Sequence, residues 1–165
     1  MIVRDLRPDD WPSVCAIYED GIRSGDASFE TETPTWEAWD AAHPELRLVA
    51  ERDDDVVGWA ALSPASGRAC YHGVGEVSVY VAEGARGAGR GRELLVALVE
   101  RSEQAGYWTL TAGVFPENEA SIRLHKACGF REVGVREQLA ELRGAWRDVV
   151  LLERRSTLVG TCATT

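Results

Sequence analysis

A glycine-rich turn, Arg86-Gly87-Ala88-Gly89-Arg90-Gly91, contains the residues whose types and spacing most clearly indicate chemistry. Arg92 follows it directly; a strand is predicted before the turn and an amphipathic helix after it. The unpaired amides at the start of a helix bind anions, and glycines let a phosphate approach the backbone closely. We therefore interpret the turn as a phosphate-binding loop, with added positive charge from its arginines. The structural alternative is a mobile turn that begins a surface helix.

The spacing within this turn excludes two common phosphate-binding motifs. No Gly-Lys-Ser/Thr follows the glycines, so the P-loop pattern is absent. The dinucleotide-binding pattern G-x-G-x-x-G fails as well, because its sixth position falls on Arg92 or Leu94. The turn instead fits the pattern R/Q-x-x-G-x-G/A, read from Arg86 through Gly89 to Gly91.

The composition is typical of a folded, acidic domain. The 165 residues are 45% hydrophobic and 27% charged, which suits one domain with its own core. A formal net charge of −9 argues against general affinity for nucleic acid or anionic membranes. We recognise no secretory signal, no apolar run long enough to span a membrane and no zinc-like cysteine spacing. We therefore expect a cytoplasmic protein without a metal and with reduced thiols at Cys15, Cys70, Cys128 and Cys162.

Strands and helices are predicted to alternate around the turn and to position it. Hydrophobic periodicity and turn residues predict strands at residues 2–6, 46–52, 56–63, 77–81 (within an extended stretch 69–82), 109–114, 130–136 and 146–153. Helices are predicted to begin at Asp9-Asp10, at Thr33-Pro34, near Arg90 and at Asn118. Asp9-Asp10 offers a cap for the first helix, which is predicted to end at Gly21 and Gly25, and Thr33 is the candidate cap of the second, with Pro34 at its first position. This order predicts an α/β (α+β) fold with a mixed central sheet and helices on both faces. We expect a single domain over residues 1–155 and a flexible tail over 156–165.

Six further segments, spread over the chain, support a family resemblance. They are Ser28-Phe29-Glu30-Thr31, Leu48-Val49-Ala50-Glu51, Arg68-x-x-Tyr71, Glu76-Val77-Ser78-Val79-Tyr80-Val81, Asn118-x-x-Ser121-x-x-x-His125-x-x-x-Gly129-Phe130 and Gly144-x-Trp146-x-Asp148. Together with the glycine turn, they resemble the GNAT superfamily of N-acetyltransferases. Within it, they resemble the phosphinothricin and methionine sulfone or sulfoximine N-acetyltransferases. The resemblance implies the GNAT fold, acetyl-CoA as co-substrate, a small amino-acid-like acceptor and a homodimer.

The resemblance also implies which residues bind acetyl-CoA. Backbone groups of Val79 and Val81 would pair with the pantetheine arm, and the pyrophosphate would lie on the amides of residues 87–92. The valines would serve as core residues of a strand at the same time. Asn118 would either bond to the co-substrate or cap the following helix. The implied set is Val79, Val81, Arg86, Gly87, Ala88, Gly89, Arg90, Gly91, Arg92, Asn118 and Ser121.

Two residues are candidates for proton transfer, because acetyl transfer requires a neutral amine. Glu76 precedes Val79 by three residues, about 10 Å along a strand that rises roughly 3.3 Å per residue. It is therefore expected near the thioester end, as a base that acts directly or through water. His125 is the second candidate, since imidazole titrates near neutrality. The division of roles stays open, and a solvated glutamate and a packed histidine are the structural alternatives.

The resemblance places the acceptor between two segments. Arg68 and Tyr71 stand where the family binds its acceptor, and arginine grips a carboxylate through two parallel hydrogen bonds. Phe29, Glu30 and Thr31 would form the opposite wall. An exposed turn arginine is the structural alternative for Arg68.

We therefore predict an acetyl-CoA-dependent N-acetyltransferase that acts on the α-amine of a small amino acid or analogue. One alternative keeps the fold and changes the acceptor to a peptide N-terminus. The other is a non-catalytic acyl-CoA sensor, which would be expected to lack Glu76 and His125 while it keeps the glycine turn.

Overall fold

The computed structural model describes residues 2–161, and within them seven strands form one mixed sheet. The strands are β1 (Ile2–Asp5), β2 (Arg47–Arg52), β3 (Asp55–Pro64), β4 (Val74–Val81), β5 (Thr109–Val114), β6 (Arg131–Leu142) and β7 (Ala145–Arg155). Their order across the sheet is β1-β2-β3-β4-β5-β7-β6. The β4–β5 pair is parallel and the other neighbours are antiparallel.

Four α-helices of the described chain cover the two faces of this sheet. They are α1 (Trp11–Ser24), α2 (Trp36–Ala42), α3 (Arg90–Gln104) and α4 (Glu119–Ala127). The apolar sides of α1 and α2 pack against one face around Trp59, and α3 and α4 pack against the other around Val77 and Leu98. The predicted mixed sheet with helices on both faces is confirmed. None of the helices within residues 2–161 combines the length and apolarity needed to cross a membrane.

Helix α1 starts where predicted but extends beyond Gly21. Of the two glycines predicted to end it, Gly25, which is left-handed at φ +81°, is the one that does so. Gly21 lies inside α1, where a Cβ would be 2.7 Å from the Tyr80 ring. Glycine at this position therefore lets the helix pack closely against β4. The predicted capping by Asp10 is wrong in detail: its carboxylate accepts hydrogen bonds from the Arg7 amide and from Arg4.

Helix α2 begins two residues later than predicted. The Thr35 hydroxyl caps it by accepting a hydrogen bond from the Ala38 amide at 3.3 Å. Pro34 therefore precedes the cap, whereas the sequence pattern had placed it in the first turn with Thr33 as cap. Either threonine could cap a helix by type, and the one that can reach a free amide does so.

The β6–β7 hairpin is longer than predicted. Strand β6 continues past Arg136 to Leu142, through an irregular segment where Gln138 has φ +45°. Asp148 Oδ1 accepts the Gln138 amide at 2.8 Å and stabilises this irregularity. The sequence pattern missed the extension because β6 is an exposed edge strand, on which polar residues do not alternate with buried ones.

The segment after β7 is held against the body of the protein as far as Gly160. The Ser156 hydroxyl donates to Glu103 Oε1 at 2.8 Å, and the Arg155 guanidinium donates to the carbonyls of Val159 and Gly160. Residues 162–165 of the predicted tail, with Cys162, lie outside the described residues. Cys15, Cys70 and Cys128 form no disulfide among residues 2–161. The single-domain boundary at residue 155 stays a prediction.

Candidate active site

The parallel strands β4 and β5 separate halfway along their length. Their register comprises three pairs, the last joining Glu76 to Thr111. Beyond it β4 continues to Val81 and β5 to Val114 without pairing to each other, while β3 stays paired with the other side of β4 as far as Val81. A cleft therefore opens in the sheet directly after Glu76, along an edge of β4 that no strand of residues 2–161 covers.

The backbone groups that face this cleft follow from the register of β3 and β4. One step beyond the ladder, the Ala82 amide donates to the opposite carbonyl of Val57 at 2.9 Å. Bonded and non-bonded pairs alternate along antiparallel strands, so Tyr80 bonds to β3 while Val79 and Val81 direct their backbone groups into the cleft. The Val81 carbonyl already accepts Arg86 Nε at 3.1 Å. Val79 and the Val81 amide thus remain available to an extended ligand.

An open cavity of about 770 Å³ extends from the cleft and contains most of the predicted site residues. Those along its wall are Phe29, Glu30, Glu76, Val79, Val81, Arg86, Gly87, Gly89, Arg90, Gly91, Arg92, Asn118, Ser121 and His125. Thr31, Arg68, Tyr71 and Ala88 are not among its lining residues. The structure therefore brings together the predicted proton-transfer residues and all predicted co-substrate residues except Ala88, but only Phe29 and Glu30 of the predicted acceptor residues.

The glycine turn presents the start of α3 to the cavity. Gly87 and Gly89 have φ +75° and +80°, values that side-chain-bearing residues rarely adopt. Gly89 is the N-cap of α3, and no side chain accepts the first amides of the helix. A Cβ on Gly91 would be 3.1 Å from Leu124 Cδ2, so glycine lets this first turn pack closely against α4. The turn therefore combines free amides with close packing against α4. The predicted approach of a phosphate to its backbone stays a prediction.

Positive charge surrounds these amides. Arg90 Nη1 pairs with Glu93 Oε1 at 3.2 Å, whereas its buried Nε has no hydrogen-bond partner within residues 2–161. Arg86 and Arg92 line the same end of the cavity. A helix N-terminus with unpaired donors and adjacent arginines binds anionic groups such as phosphates. These residues therefore fit a diphosphate-containing ligand.

The Glu76 side chain is exposed at the point where β4 and β5 separate. It lies on the strand face opposite the buried Val77, as the alternation predicted. Its carboxylate makes no hydrogen bond or ion pair with another side chain in the described part of the protein. Glu76 is thus available to accept a proton or to hold a water molecule.

His125 lies on α4 and is buried, with 4% of its surface exposed. Its Nδ1 lies 2.8 Å from the Ser121 carbonyl, which can only accept, so we assign the ring hydrogen to Nδ1. Nε2 is then an acceptor, and it has no partner among residues 2–161. Burial lowers the pKa of His125, although the hydrogen bond to Ser121 opposes this shift. The imidazole is therefore neutral at pH 7, with a free lone pair on Nε2.

Asn118 uses both ends of its side chain within the protein. Its Oδ1 caps α4 by accepting the Ser121 amide, and its Nδ2 donates to the Asp26 carbonyl, both at 3.2 Å. The structural alternative from the sequence is thus present. The predicted hydrogen bond from Asn118 to the co-substrate stays a prediction.

Three rings that were not predicted as site residues, those of Tyr18, Tyr80 and Phe115, form an aromatic wall together with the predicted Phe29. Tyr18 packs edge-on against Tyr80 at 5.0 Å between ring centroids, and Phe29 packs edge-on against Phe115 at 4.8 Å. All four rings line the cavity. Tyr18 follows the hydrophobic periodicity of α1, and Phe115 directly follows the last residue of β5, so the pattern gave no signal beyond a role in the core.

Arg68 and Tyr71 lie on a short 3₁₀ turn, Ala69–Tyr71, that precedes β4. The Arg68 guanidinium lies over the Tyr71 ring, 5.5 Å from its centroid, and both side chains are exposed. This turn replaces the first part of the predicted extended stretch. The role of Arg68 and Tyr71 in acceptor binding stays a prediction.

The charges of the cavity are segregated. Its arginines all belong to the glycine turn. Away from that turn its charged lining residues are acidic, namely Asp26, Glu30, Glu76 and Glu117. No group of three histidine, cysteine or carboxylate side chains that could share a metal ion occurs in residues 2–161. The cavity thus has one end suited to phosphates and another suited to an amine.

The family model described as Acetyltransferase (GNAT) family matches residues 4–130. The chain belongs to the GNAT family of acetyltransferases. The predicted family, the GNAT fold and the assignment as an N-acetyltransferase enzyme are confirmed.

This acetyltransferase has relatives with named substrates. Phosphinothricin N-acetyltransferase of Alcaligenes faecalis is 40% identical over 161 residues, which cover 92% of this chain and 81% of that protein. L-methionine sulfoximine/L-methionine sulfone acetyltransferase of Pseudomonas paraeruginosa is 31% identical over 159 residues, 92% of each protein. The crystal structure of a GNAT superfamily phosphinothricin acetyltransferase from Sinorhizobium meliloti in complex with AcCoA has a TM-score of 0.89. It is 28% identical and covers 99% of this chain and 91% of that chain.

Proposed function

We propose that this acetyltransferase transfers an acetyl group from acetyl-CoA to the α-amine of a small amino acid or analogue of the phosphinothricin or methionine sulfone type. The observation that carries the proposal is the uncovered edge of β4, which leads from the glycine turn to Glu76. An extended ligand with a diphosphate at one end and a reactive group at the other fits this path. The names of the relatives support the acceptor class.

The co-substrate is bound by groups that the fold leaves free. The amides at the start of α3 and the arginines of the glycine turn receive the pyrophosphate. Val79 and Val81 pair with the pantetheine arm as an added strand would, and Arg86 then exchanges the Val81 carbonyl for phosphate. Acetyl-CoA supplies an activated acetyl group as a thioester. A thioester that continues along β4 in the direction of its N-terminus arrives beside Glu76.

Two residues are candidates to take the proton that the substrate amine loses. Glu76 takes it directly or through a water molecule, since its carboxylate has no competing partner within residues 2–161. His125 is the second candidate: it lines the same cavity, and its unprotonated Nε2 is a buried atom without a partner within residues 2–161. A positioned base contributes roughly 10²–10⁴-fold to the rate. Because His125 is neutral at pH 7, we assign it the role of a proton acceptor rather than a donor.

The acidic end of the cavity favours a second candidate acceptor. Glu30 and Glu76, which have no ion-pair partner within residues 2–161, attract a cationic molecule, whereas Asp26 and Glu117 are already paired with Arg147. The carboxylate of a small amino acid instead requires a cation such as Arg68. A peptide N-terminus with basic residues suits an acidic entrance, and its binding does not require Arg68. The proposal of a small amino-acid acceptor therefore requires that Arg68 and Tyr71 reach this acceptor.

A thiol assay of CoA release tests these readings. Acetyl-CoA is mixed in parallel with methionine sulfone, methionine sulfoximine, phosphinothricin, the common amino acids and a basic peptide with a free N-terminus. Turnover with one or two amino-acid-like acceptors supports the proposal. Turnover with the peptide alone moves the function to the second candidate. Binding of acetyl-CoA without turnover on any acceptor favours the sensor and contradicts the proposal.

Two substitutions test the assignment of the proton acceptors. Glu76→Gln and His125→Ala should each lower kcat, while the affinity for acetyl-CoA measured by calorimetry stays within about twofold. Glu100→Gln removes an exposed carboxylate from α3 and serves as the matched control. Unchanged turnover in both variants would show that neither residue transfers the proton.

We also propose that the protein is a homodimer that uses the β6–β7 hairpin. Val133, Val135, Leu139 and Trp146 of this hairpin are four of the seven large apolar side chains that are exposed within residues 2–161. Sedimentation should give a dimer mass for the wild type and a monomer mass for a Leu139→Glu/Trp146→Glu variant. A monomeric wild type would contradict this proposal.

The cytoplasmic location stays a prediction.

A further inference from the structure

The loop between α1 and α2 forms one wall of the cavity. Residues 26–30 all line it, and we call residues 25–30 the acceptor loop. This loop contains no helix or strand. Its shape is instead set by three successive carbonyls, each of which accepts a hydrogen bond from a different element. The pairs are Gly25 with Arg147 Nη1 at 3.0 Å, Asp26 with Asn118 Nδ2 at 3.2 Å and Ala27 with the Tyr80 hydroxyl at 3.2 Å.

Arg147 makes more contacts with this region than either of the other two donors. Its Nη2 donates to Asp26 Oδ1 at 2.8 Å and to Glu117 Oε2 at 3.2 Å. Its Cζ lies 4.1 Å from the centre of the Phe115 ring, and only 17% of the side chain is exposed. Charge-assisted hydrogen bonds and a cation–π contact are among the stronger polar interactions when the groups are largely shielded from water. One guanidinium thus joins β7, the acceptor loop and the segment between β5 and α4.

We propose that Arg147 is a positioning residue that holds the acceptor loop in its productive place. This inference rests on the proposed function of the cavity. Without Arg147, Asp26 and Glu117 lose their common partner and repel each other across a cavity that also contains Glu30. The loop then moves outward, and Phe29 leaves its contact with Phe115. Arg147 acts on the acceptor only through this loop, so the co-substrate end should not respond to its loss.

The main test separates the two substrates kinetically. Arg147→Met keeps a long apolar stem on Phe115 but removes every donor. We expect the KM for the acceptor to rise about tenfold or more, with the KM for acetyl-CoA within about twofold of the wild type. Arg147→Lys should recover part of the loss, since one ammonium cannot replace the fork of a guanidinium. Arg101→Met is the matched control, because Arg101 pairs with Asp5 at the far end of α3.

A second measurement does not require a known acceptor. Hydrogen exchange of the ligand-free protein should be faster over residues 25–30 and 115–118 in Arg147→Met than in wild type or Arg101→Met. A wild type that acetylates no amine would refute the proposed function, while this exchange difference would still support the positioning role of Arg147. The positioning role of Arg147 is refuted if Arg147→Met leaves the exchange or the KM for the acceptor unchanged, or if it raises both KM values equally. Equal increases would indicate general loss of structure.

Discussion

Substitution of Gly89 by alanine tests whether the left-handed turn positions the first amides of α3. Gly89 has φ +80°, and an L-residue in this region costs about 1–2 kcal/mol. The added methyl group has room, because its nearest neighbour is Glu93 Oε1 at 4.0 Å. The cost is therefore conformational rather than steric. Gly84→Ala is the matched control in the same loop, with no left-handed φ and no atom within 4 Å of the new Cβ.

The cost should appear in one of two measurable quantities. If the turn keeps its shape, the free energy of unfolding falls by about 1–2 kcal/mol. If the turn relaxes in the free protein, binding must restore it, and the affinity for acetyl-CoA falls by roughly 5–30-fold. A loop that relaxes in part divides the same total between stability and affinity. Where affinity is lost, the loss concerns the pyrophosphate, because the strained residue precedes the amides that receive it.

Urea unfolding and calorimetric titration measure the two quantities. Titration with acetyl-CoA and with acetyl-pantetheine, which lacks the pyrophosphate, locates the effect. We expect Gly89→Ala to weaken acetyl-CoA binding more than acetyl-pantetheine binding, and Gly84→Ala to change neither. Equal stability and equal affinity of the two variants would refute the role that we assign to the left-handed turn.

Three further predictions concern the scaffold and its pH dependence. Thr35→Ala should lower the free energy of unfolding in urea by about 1 kcal/mol, whereas Thr33→Ala should not, because Thr35 alone caps α2. Gly73→Ala should destabilise by about 1–3 kcal/mol in the same assay, because its Cβ would be 2.2 Å from Trp108. Burial lowers the pKa of His43 and of His125, so the unfolded chain binds protons more readily. Unfolding free energy should therefore decrease as the pH falls through about 6.5, the unfolded histidine value, and the decrease should be smaller in His43→Gln.

Local patterns were sufficient for the elements that position the co-substrate. The run Asp53-Asp54-Asp55 predicts a hairpin between two strands, and in the structure Asp53 and Asp54 alone, both with positive φ, form the turn between β2 and β3. The glycine turn was readable for the same reason: its conformational needs are met by residues within one short segment. Helix boundaries were less certain, since Thr33 and Thr35 are equivalent by type and only the folded chain selects between them.

The cleft itself could not be derived from local patterns. Val77, Val79 and Val81 alternate with Ser78 and Tyr80 whether or not the neighbouring strand pairs with them. The separation of β4 from β5 after Glu76 is a relation between segments more than 30 residues apart, as is the pairing of Asp26 with Arg147. The family resemblance was therefore needed to assign backbone groups of valines to a ligand, and the register of β3 and β4 now gives a physical reason for that assignment.

The two ends of the cavity also differ in how far a relative's substrate can be transferred to this chain. The positive end is built from one segment, residues 86–92, so a match to its motif carries most of the co-substrate site with it. The acidic end combines residues 26–30, Glu76 and Glu117, and its geometry further depends on Arg147. A relative can share most of these segments and still differ at one of them, which changes both the charge and the position of the wall.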